Sequence, residues 1–229
     1  MLNKLLNIVH PWLIKTLGRD RLEYVASNTI NELTQRLDPF IWTYDCKVKV
    51  IAIRQETADT KTFVLLPNQH FTAAIAGQHI ELSSIGPDHS ANRCYTLSEI
   101  TAETVSITVK LNPEGEVSPW LHHQAEVGMI FNSSLARGKF VHRDQDKVLF
   151  ICAGSGITPA FSMINDLLAQ SNNAKKSSDS KIGLFYRTQT PENTIFSKRL
   201  TELESENRNV KVELSYSRLP VDIVTPSFI

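Results

Sequence analysis

The chain has 229 residues, 41% of them hydrophobic, with 24 basic side chains against 24 acidic ones. That is enough apolar material for a buried core and one or two domains, and the balanced charge leaves no global field to attract nucleic acid or anionic lipid. Cys46, Cys94 and Cys152 lie far apart with no Cys-x-x-Cys pair, which argues against a zinc site, a disulfide framework or a plant-type iron-sulfur cluster with its four thiolates.

Near the N-terminus Leu2, Leu5, Leu6, Val9, Trp12, Leu13 and Leu17 recur at helical spacing, with Pro11 placed to kink or split the helix. A second helical stretch, Asn28 to Leu37, stops before Asp38-Pro39. Residues 1–44 are expected to form a helical extension packed against the protein's own barrel, with docking on a membrane surface or a partner as the alternative. No run of about 18 apolar residues and no secretory pattern occurs, so a cytoplasmic chain without a transmembrane segment is expected.

From Asp45 the hydrophobic period falls to two. Lys47 to Ile53, Thr62 to Leu66, His79 to Leu82, Cys94 to Leu97 and Val105 to Leu111 read as short strands between polar, Gly or Pro turns, a pattern that predicts a small antiparallel barrel over 45–144. After Lys147 strands and helices alternate: strand Val148 to Cys152, a glycine turn, helix Pro159 to about Gln170, and a polar loop at 171–180. Strand Ile182 to Tyr186, helix Thr194 to Glu206 and strand Val210 to Leu214 follow. That order predicts a doubly wound parallel sheet over 145–229.

Three runs carry chemistry. Arg93-Cys94-Tyr95-Thr96-Leu97 sets a guanidinium, a ring and a hydroxyl on one strand, as a planar, diphosphate-bearing cofactor would need; positions 93, 95 and 97 share a face and Thr96 takes the other. Gly115-Glu116-Val117-Ser118 leads into Pro119 as a loop entering a short helix, with Ser118 as N-cap and Pro119 as first helical residue. Gly154-Ser155-Gly156-Ile157-Thr158-Pro159 follows an apolar strand and opens a helix, where bare backbone can approach a pyrophosphate. It is neither the usual Rossmann fingerprint nor a P-loop nor a nucleophile elbow. Arg187 and the pair Ser217-Arg218 follow the second and third strands of this half. The adjacent His122-His123 pair cannot face one metal ion, and no metal site is expected.

Taken in order, these runs resemble the signatures of the ferredoxin-NADP reductase family: Arg-x-Tyr-Ser/Thr at Arg93, Tyr95 and Thr96, Gly-x-x-Ser/Thr at Gly115 and Ser118, and Gly-x-Gly-Ile-x-Pro at Gly154, Gly156, Ile157 and Pro159. Gly77-Gln78 and Gly138-Lys139-Phe140 are smaller echoes, and the resemblance spans roughly residues 45 to 218. It implies a flavin-binding barrel followed by a nucleotide-binding domain, and FAD and NADPH as cofactor and electron donor. In the matching positions Tyr95 would stack on the flavin, Thr96 would hydrogen-bond near its reactive N5, Arg93 would offer its fork of donors to the cofactor phosphate, and Leu97 would join them as a cofactor-binding position. Gly115, Val117 and Ser118 would meet the diphosphate of FAD, and Gly154, Ser155, Gly156, Thr158 and Pro159 the nucleotide. Arg187, Ser217 and Arg218 would favour the 2'-phosphate of NADPH. The acceptor would be a ferredoxin, a flavodoxin, an iron-sulfur partner or a desaturase system.

In the family the nucleotide domain continues to a strand ending in Cys-Gly-Pro, whereas eleven residues follow Arg218 here and none is cysteine. This sustains a second expectation, a truncated, non-catalytic flavin-binding fragment or interaction module. It also implies that the outer edge of strand Val148 to Cys152 is covered by a short strand at Val221 to Thr225 or by a second chain, so that self-association is expected where the tail does not serve.

Overall fold

The structure is a computed structural model that describes residues 38–40, 45–85, 88, 90–143, 147–172 and 181–218. The expected N-terminal helices, most of the 171–180 loop and the strand expected at Val221 to Thr225 lie outside the described residues.

Six strands close an antiparallel barrel in the order β1-β2-β5-β4-β3-β6. They are β1 (Lys47–Thr57), β2 (Thr60–Pro67), β3 (His79–Ile85), β4 (Ala91–Ile100), β5 (Val105–Lys110) and β6 (Ile130–Ser133). Alternation places Val48, Val50, Phe63, Leu65, Ile80, Leu82, Leu97 and Ile107 inside, the inward set of a small barrel filled by side chains. Helix α1 (Val117–His123) leaves β5 and buries Val117 and Leu121 in the same core.

The second unit is a parallel sheet in the order β7-β8-β9, with β7 (Lys147–Ala153), β8 (Lys181–Thr188) and β9 (Val210–Tyr216) joined through α2 (Ile157–Asn172) and α3 (Ser197–Glu206). Because the strands step in one direction, right-handed crossovers bring both helices to one face. That face carries Phe150, Ile182, Leu184 and Tyr186 against Ile157, Phe161, Ile164 and Leu200. On the opposite face Leu149 and Ile151 are 52% and 73% exposed. Among the described residues β7 pairs only with β8.

Several boundaries differ from the sequence reading. Helix α2 starts at Ile157 rather than Pro159; Pro159 sits in its first turn, where a missing N–H costs no intrahelical bond. Helix α3 starts at Ser197 rather than Thr194, because Phe196 adopts φ 62 and breaks the helical run. Burial of Phe196 and its stacking on Phe161, ring centroids 4.1 Å apart, hold that left-handed conformation. Arg187 lies within β8 rather than after it.

The two units touch along α2 and β4. Ala76, in the lead-in to β3, belongs to the core of the second unit. Beside it Gly77 has φ 92, and a Cβ there would strike the backbone carbonyl of Phe140, so the glycine lets the chain entering β3 cross the chain leaving the barrel. Arg199 of α3 pairs with Glu99 of β4, and Arg54 of β1 holds the same carboxylate from the other side.

Candidate functional site

Strand β4 pairs with β3 through Leu82↔Arg93, Glu81↔Cys94, Ile80↔Tyr95 and His79↔Thr96. Directly opposed residues share a face, so Tyr95 follows Ile80 toward the barrel core, while Cys94 and Thr96 take the outer face. Tyr95 is half-buried and packs against that core. Burial pushes its hydroxyl up to about 12, with the charge of Arg93 acting in the opposite direction. Arg93 is exposed and donates only to the neighbouring Asn92 carbonyl at 2.7 Å among its recorded hydrogen bonds. Leu97 differs from the others: its side chain is fully buried in the barrel and offers a cofactor no surface, leaving only its backbone, whose N–H donates to Gln78 at 2.9 Å.

The loop from β5 to α1 contains Gly115 to Ser118. Here the helix begins at Val117, with Glu116 as the cap residue and no side-chain cap bond. Ser118 is therefore not the N-cap, and Pro119 lies inside the first turn rather than opening it. The Ser118 hydroxyl instead accepts from the Asn112 N–H at 2.9 Å, closing the loop on itself. Val117, buried in the barrel core, anchors the helix; only its backbone can meet a ligand.

At the end of β7 the chain turns through Gly154–Gly156 into α2. Gly154 has φ 52, and nothing lies within 4 Å of a Cβ built on Gly154 or Gly156. The outer surface of the turn is bare backbone at a helix start, the form a dinucleotide phosphate requires. Thr158 is buried and its hydroxyl donates back to the Ser155 carbonyl at 3.1 Å, so it stabilises the turn rather than facing outward. Beneath the turn, the buried Tyr186 donates to the Gly154 carbonyl at 2.9 Å. Sequence reasoning passed over Tyr186; an aromatic residue at the end of an apolar strand gives no signal that its hydroxyl serves a turn in another segment.

The glycine turn lies against β5, which pairs with β4 through Leu97↔Ile107 and leads into the Gly115 loop. The three motifs are thus gathered around one barrel strand. Arg187 stands level with Ala153 and Ser215 at the carboxyl edge of the sheet. The backbone N–H groups of Ser217 and Arg218 donate to Thr188 at 2.9 Å and Gln189 at 3.0 Å. All three of Arg187, Ser217 and Arg218 are exposed, at the edge where open α/β sheets receive ligands. Among the described residues no group of three or more His, Cys, Asp and Glu side chains is arranged to hold a metal, and no helix is long and apolar enough to cross a membrane.

Comparison with known proteins gives a consistent set. Residues 145–217 match the family described as Ferric reductase NAD binding domain. The chain is 27% identical over 176 residues to the glycine betaine monooxygenase reductase subunit of Chromohalobacter salexigens, covering 75% of this chain and 46% of that protein. It is 31% identical over 154 residues to the NADH oxidoreductase HCR of Escherichia coli, covering 66% and 45%. The chain thus spans about half the length of these curated relatives. Among solved structures, the flavohem-like FAD/NAD binding domain of nitric oxide dioxygenase from Vibrio cholerae superposes with a TM-score of 0.66 at 21% identity, over 78% of this chain and 76% of that one. Phthalate dioxygenase reductase superposes with a TM-score of 0.65 at 22% identity, over 80% and 55%. These likenesses establish the fold: a flavin-type barrel followed by a pyridine-nucleotide-type sheet.

Proposed function

We propose, for a chain that belongs to the ferredoxin reductase-like oxidoreductases, that it passes electrons from NADPH through a bound FAD to a one-electron acceptor protein. The observation that carries this reading is the bare glycine turn at Gly154–Gly156, set against the barrel strand that links the Arg93–Thr96 strand to the Gly115 loop. When bound, the flavin supplies the redox chemistry, accepting a hydride from a nicotinamide and releasing electrons singly.

The chain's own residues supply position and charge. Tyr95, half-buried, offers the accessible part of a ring whose hydroxyl stays protonated at neutral pH, and Thr96, next along the strand, lies on the opposite, outer face of the barrel. Arg93, exposed and held by one bond from its guanidinium to the Asn92 carbonyl, keeps further donors suited to a phosphate. The backbone of Gly115 to Ser118 fits the FAD diphosphate, and Gly154, Ser155 and Gly156, followed by Pro159, fit that of the nucleotide. Arg187, Ser217 and Arg218 fit a 2'-phosphate, which favours NADPH over NADH. The acceptor in this reading is a ferredoxin, a flavodoxin or the iron-sulfur component of an oxygenase or desaturase system.

The test is the visible spectrum of the purified chain, without oxygen, before and after NADPH. Flavin absorbance bleached by NADPH, and restored by a one-electron oxidant, is expected. Among the described residues no strand pairs with the outer edge of β7, and Leu149 and Ile151 are exposed beside it; this favours a second reading, a flavin-binding module that pairs with another chain and does not turn over. A yellow protein that NADPH leaves yellow and that sediments as a dimer would support it. A folded, colourless protein would sink both. Acid-released flavin running as FMN would contradict the diphosphate assignment.

A further inference from the structure

We propose that the sheet face turned away from α2 and α3 is a docking surface for residues 219–229 of the same chain, which lie across it as an apolar strap rather than along the edge of β7. Parallel sheets occur almost only with both faces covered, and here α2 and α3 pack on the same face. Alternation along the strands puts Leu149, Ile151 and Phe185 on the other one, with Ile151 directly beside Phe185. Leu149 and Ile151 are 52% and 73% exposed and Phe185 is half-buried. Together they form an apolar stripe of the kind that marks an interaction surface.

Charge narrows the choice of occupant. On the same face stand the exposed Lys147, Lys181, Arg187 and Lys211, against one acid, the buried Glu213. A second copy stacked face to face would bring the same excess of positive charge and be repelled. Residues 1–37 carry five basic side chains against three acidic ones, again the wrong sign. The chain that follows them is also tied to the barrel: the Pro39 carbonyl accepts from Lys47 at 3.0 Å and the Phe40 carbonyl from Asn68 at 3.3 Å. Residues 219–229 bring Asp222 and no base.

The path of the chain agrees. The Arg218 N–H donates to the Gln189 carbonyl at 3.0 Å, so the segment sets out from beside the end of β8, the strand next to β7. Neighbouring strands lie about 4.8 Å apart, and the seven residues of β7 span about 20 Å. Eleven extended residues reach roughly 35 Å, enough to cross to β7 and follow it back. Leu219, Val221 and Ile223 alternate with Pro220 and Asp222, so an extended strap sets three apolar side chains on the side that meets the stripe.

The experiment is methyl and amide NMR of the full chain. Cross-peaks from the Leu149 and Ile151 methyls to Val221 and Ile223 are expected, with the amides of 221–225 exchanging several-fold more slowly than those of an unstructured chain. Ile151→Asp, at an exposed strand position, should abolish the cross-peaks and free those amides while the barrel's resonances stay in place. Asp222→Lys leaves the sheet untouched and should speed the same amides several-fold through charge alone. Tail amides that exchange at the unstructured rate would overturn the proposal, as would indifference to both substitutions. Cross-peaks from Leu149 and Ile151 to residues 1–37, or only between differently labelled copies, would assign the face to another occupant and overturn it too. So would broadening of these methyls on phosphatidylserine vesicles with the tail free, which would make the face a membrane contact.

Discussion

Tyr186 places a buried hydroxyl under the carbonyl of Gly154, and burial raises its pKa, so it remains a donor at any ordinary pH. Tyr186→Phe keeps the ring and removes the bond, at an expected cost of about 1–2 kcal/mol in urea unfolding. It should weaken nucleotide binding as well, because the turn loses its brace. Gly156→Ala is the complementary change: nothing stands within 4 Å of the new methyl, so stability should hold while NADPH affinity falls. An unaltered affinity by titration would remove the turn from the nucleotide site. Gly77→Ala, by contrast, collides with backbone at Phe140 and has the wrong φ; a loss of about 2 kcal/mol or more is expected from the unfolding midpoint.

Among the elements, β2, β5 and β4 are linked by a buried hydroxyl row. Thr108 Oγ1 lies 2.8 Å from Thr62 Oγ1 and 2.9 Å from Ser98 Oγ. Thr108→Val removes the middle of that row, while Ser98 and Thr62 keep one partner each, Ser106 and Glu56. A loss of about 1 kcal/mol is expected in chemical denaturation, and a larger one would mean that the row acts cooperatively. This row was hidden in the sequence, since Ser and Thr on a strand look the same whether solvated or buried. The inward apolar positions were legible because alternation reports them directly. Strand β6 was not: it is four residues long, too short for a period, and it exists because β1 and β3 each need a neighbour. At the site the glycine turn was legible from the apolar strand before it, whereas the roles of Leu97, Thr158 and Ser118 were not. Their side chains turn toward core or loop, which local twist and helix onset decide.

At the scale of the molecule, acid is the weak side. His122 is buried and in contact with the Val109 carbonyl at 2.9 Å, and burial lowers its pKa. The unfolded chain therefore takes up that proton at the ordinary value of 6.5, while the folded chain resists it until lower pH. The stability involved is fully present above 6.5 and is lost as pH falls toward the depressed folded value. Glu99 acts in the same direction further down. Burial works to raise its pKa, yet Arg199 and Arg54 hold it below the ordinary 4.5; its contribution is present above 4.5 and is lost as pH drops through the folded value. Thermal midpoints should decline from pH 7 to 5, and His122→Gln should flatten that part of the profile.

Glu99 is also a carboxylate on which an arginine of the barrel and an arginine of the sheet unit both close. Its grip weakens with ionic strength, because the Debye length contracts from about 10 Å at 0.1 M salt to about 3 Å at 1 M. The quantity at stake is cooperativity: whether the two units melt as one thermodynamic body. In calorimetry at low salt the measured enthalpy should match the van't Hoff value, and near 1 M sodium chloride it should exceed it as the barrel and the sheet melt separately. Glu99→Gln should produce that separation without added salt.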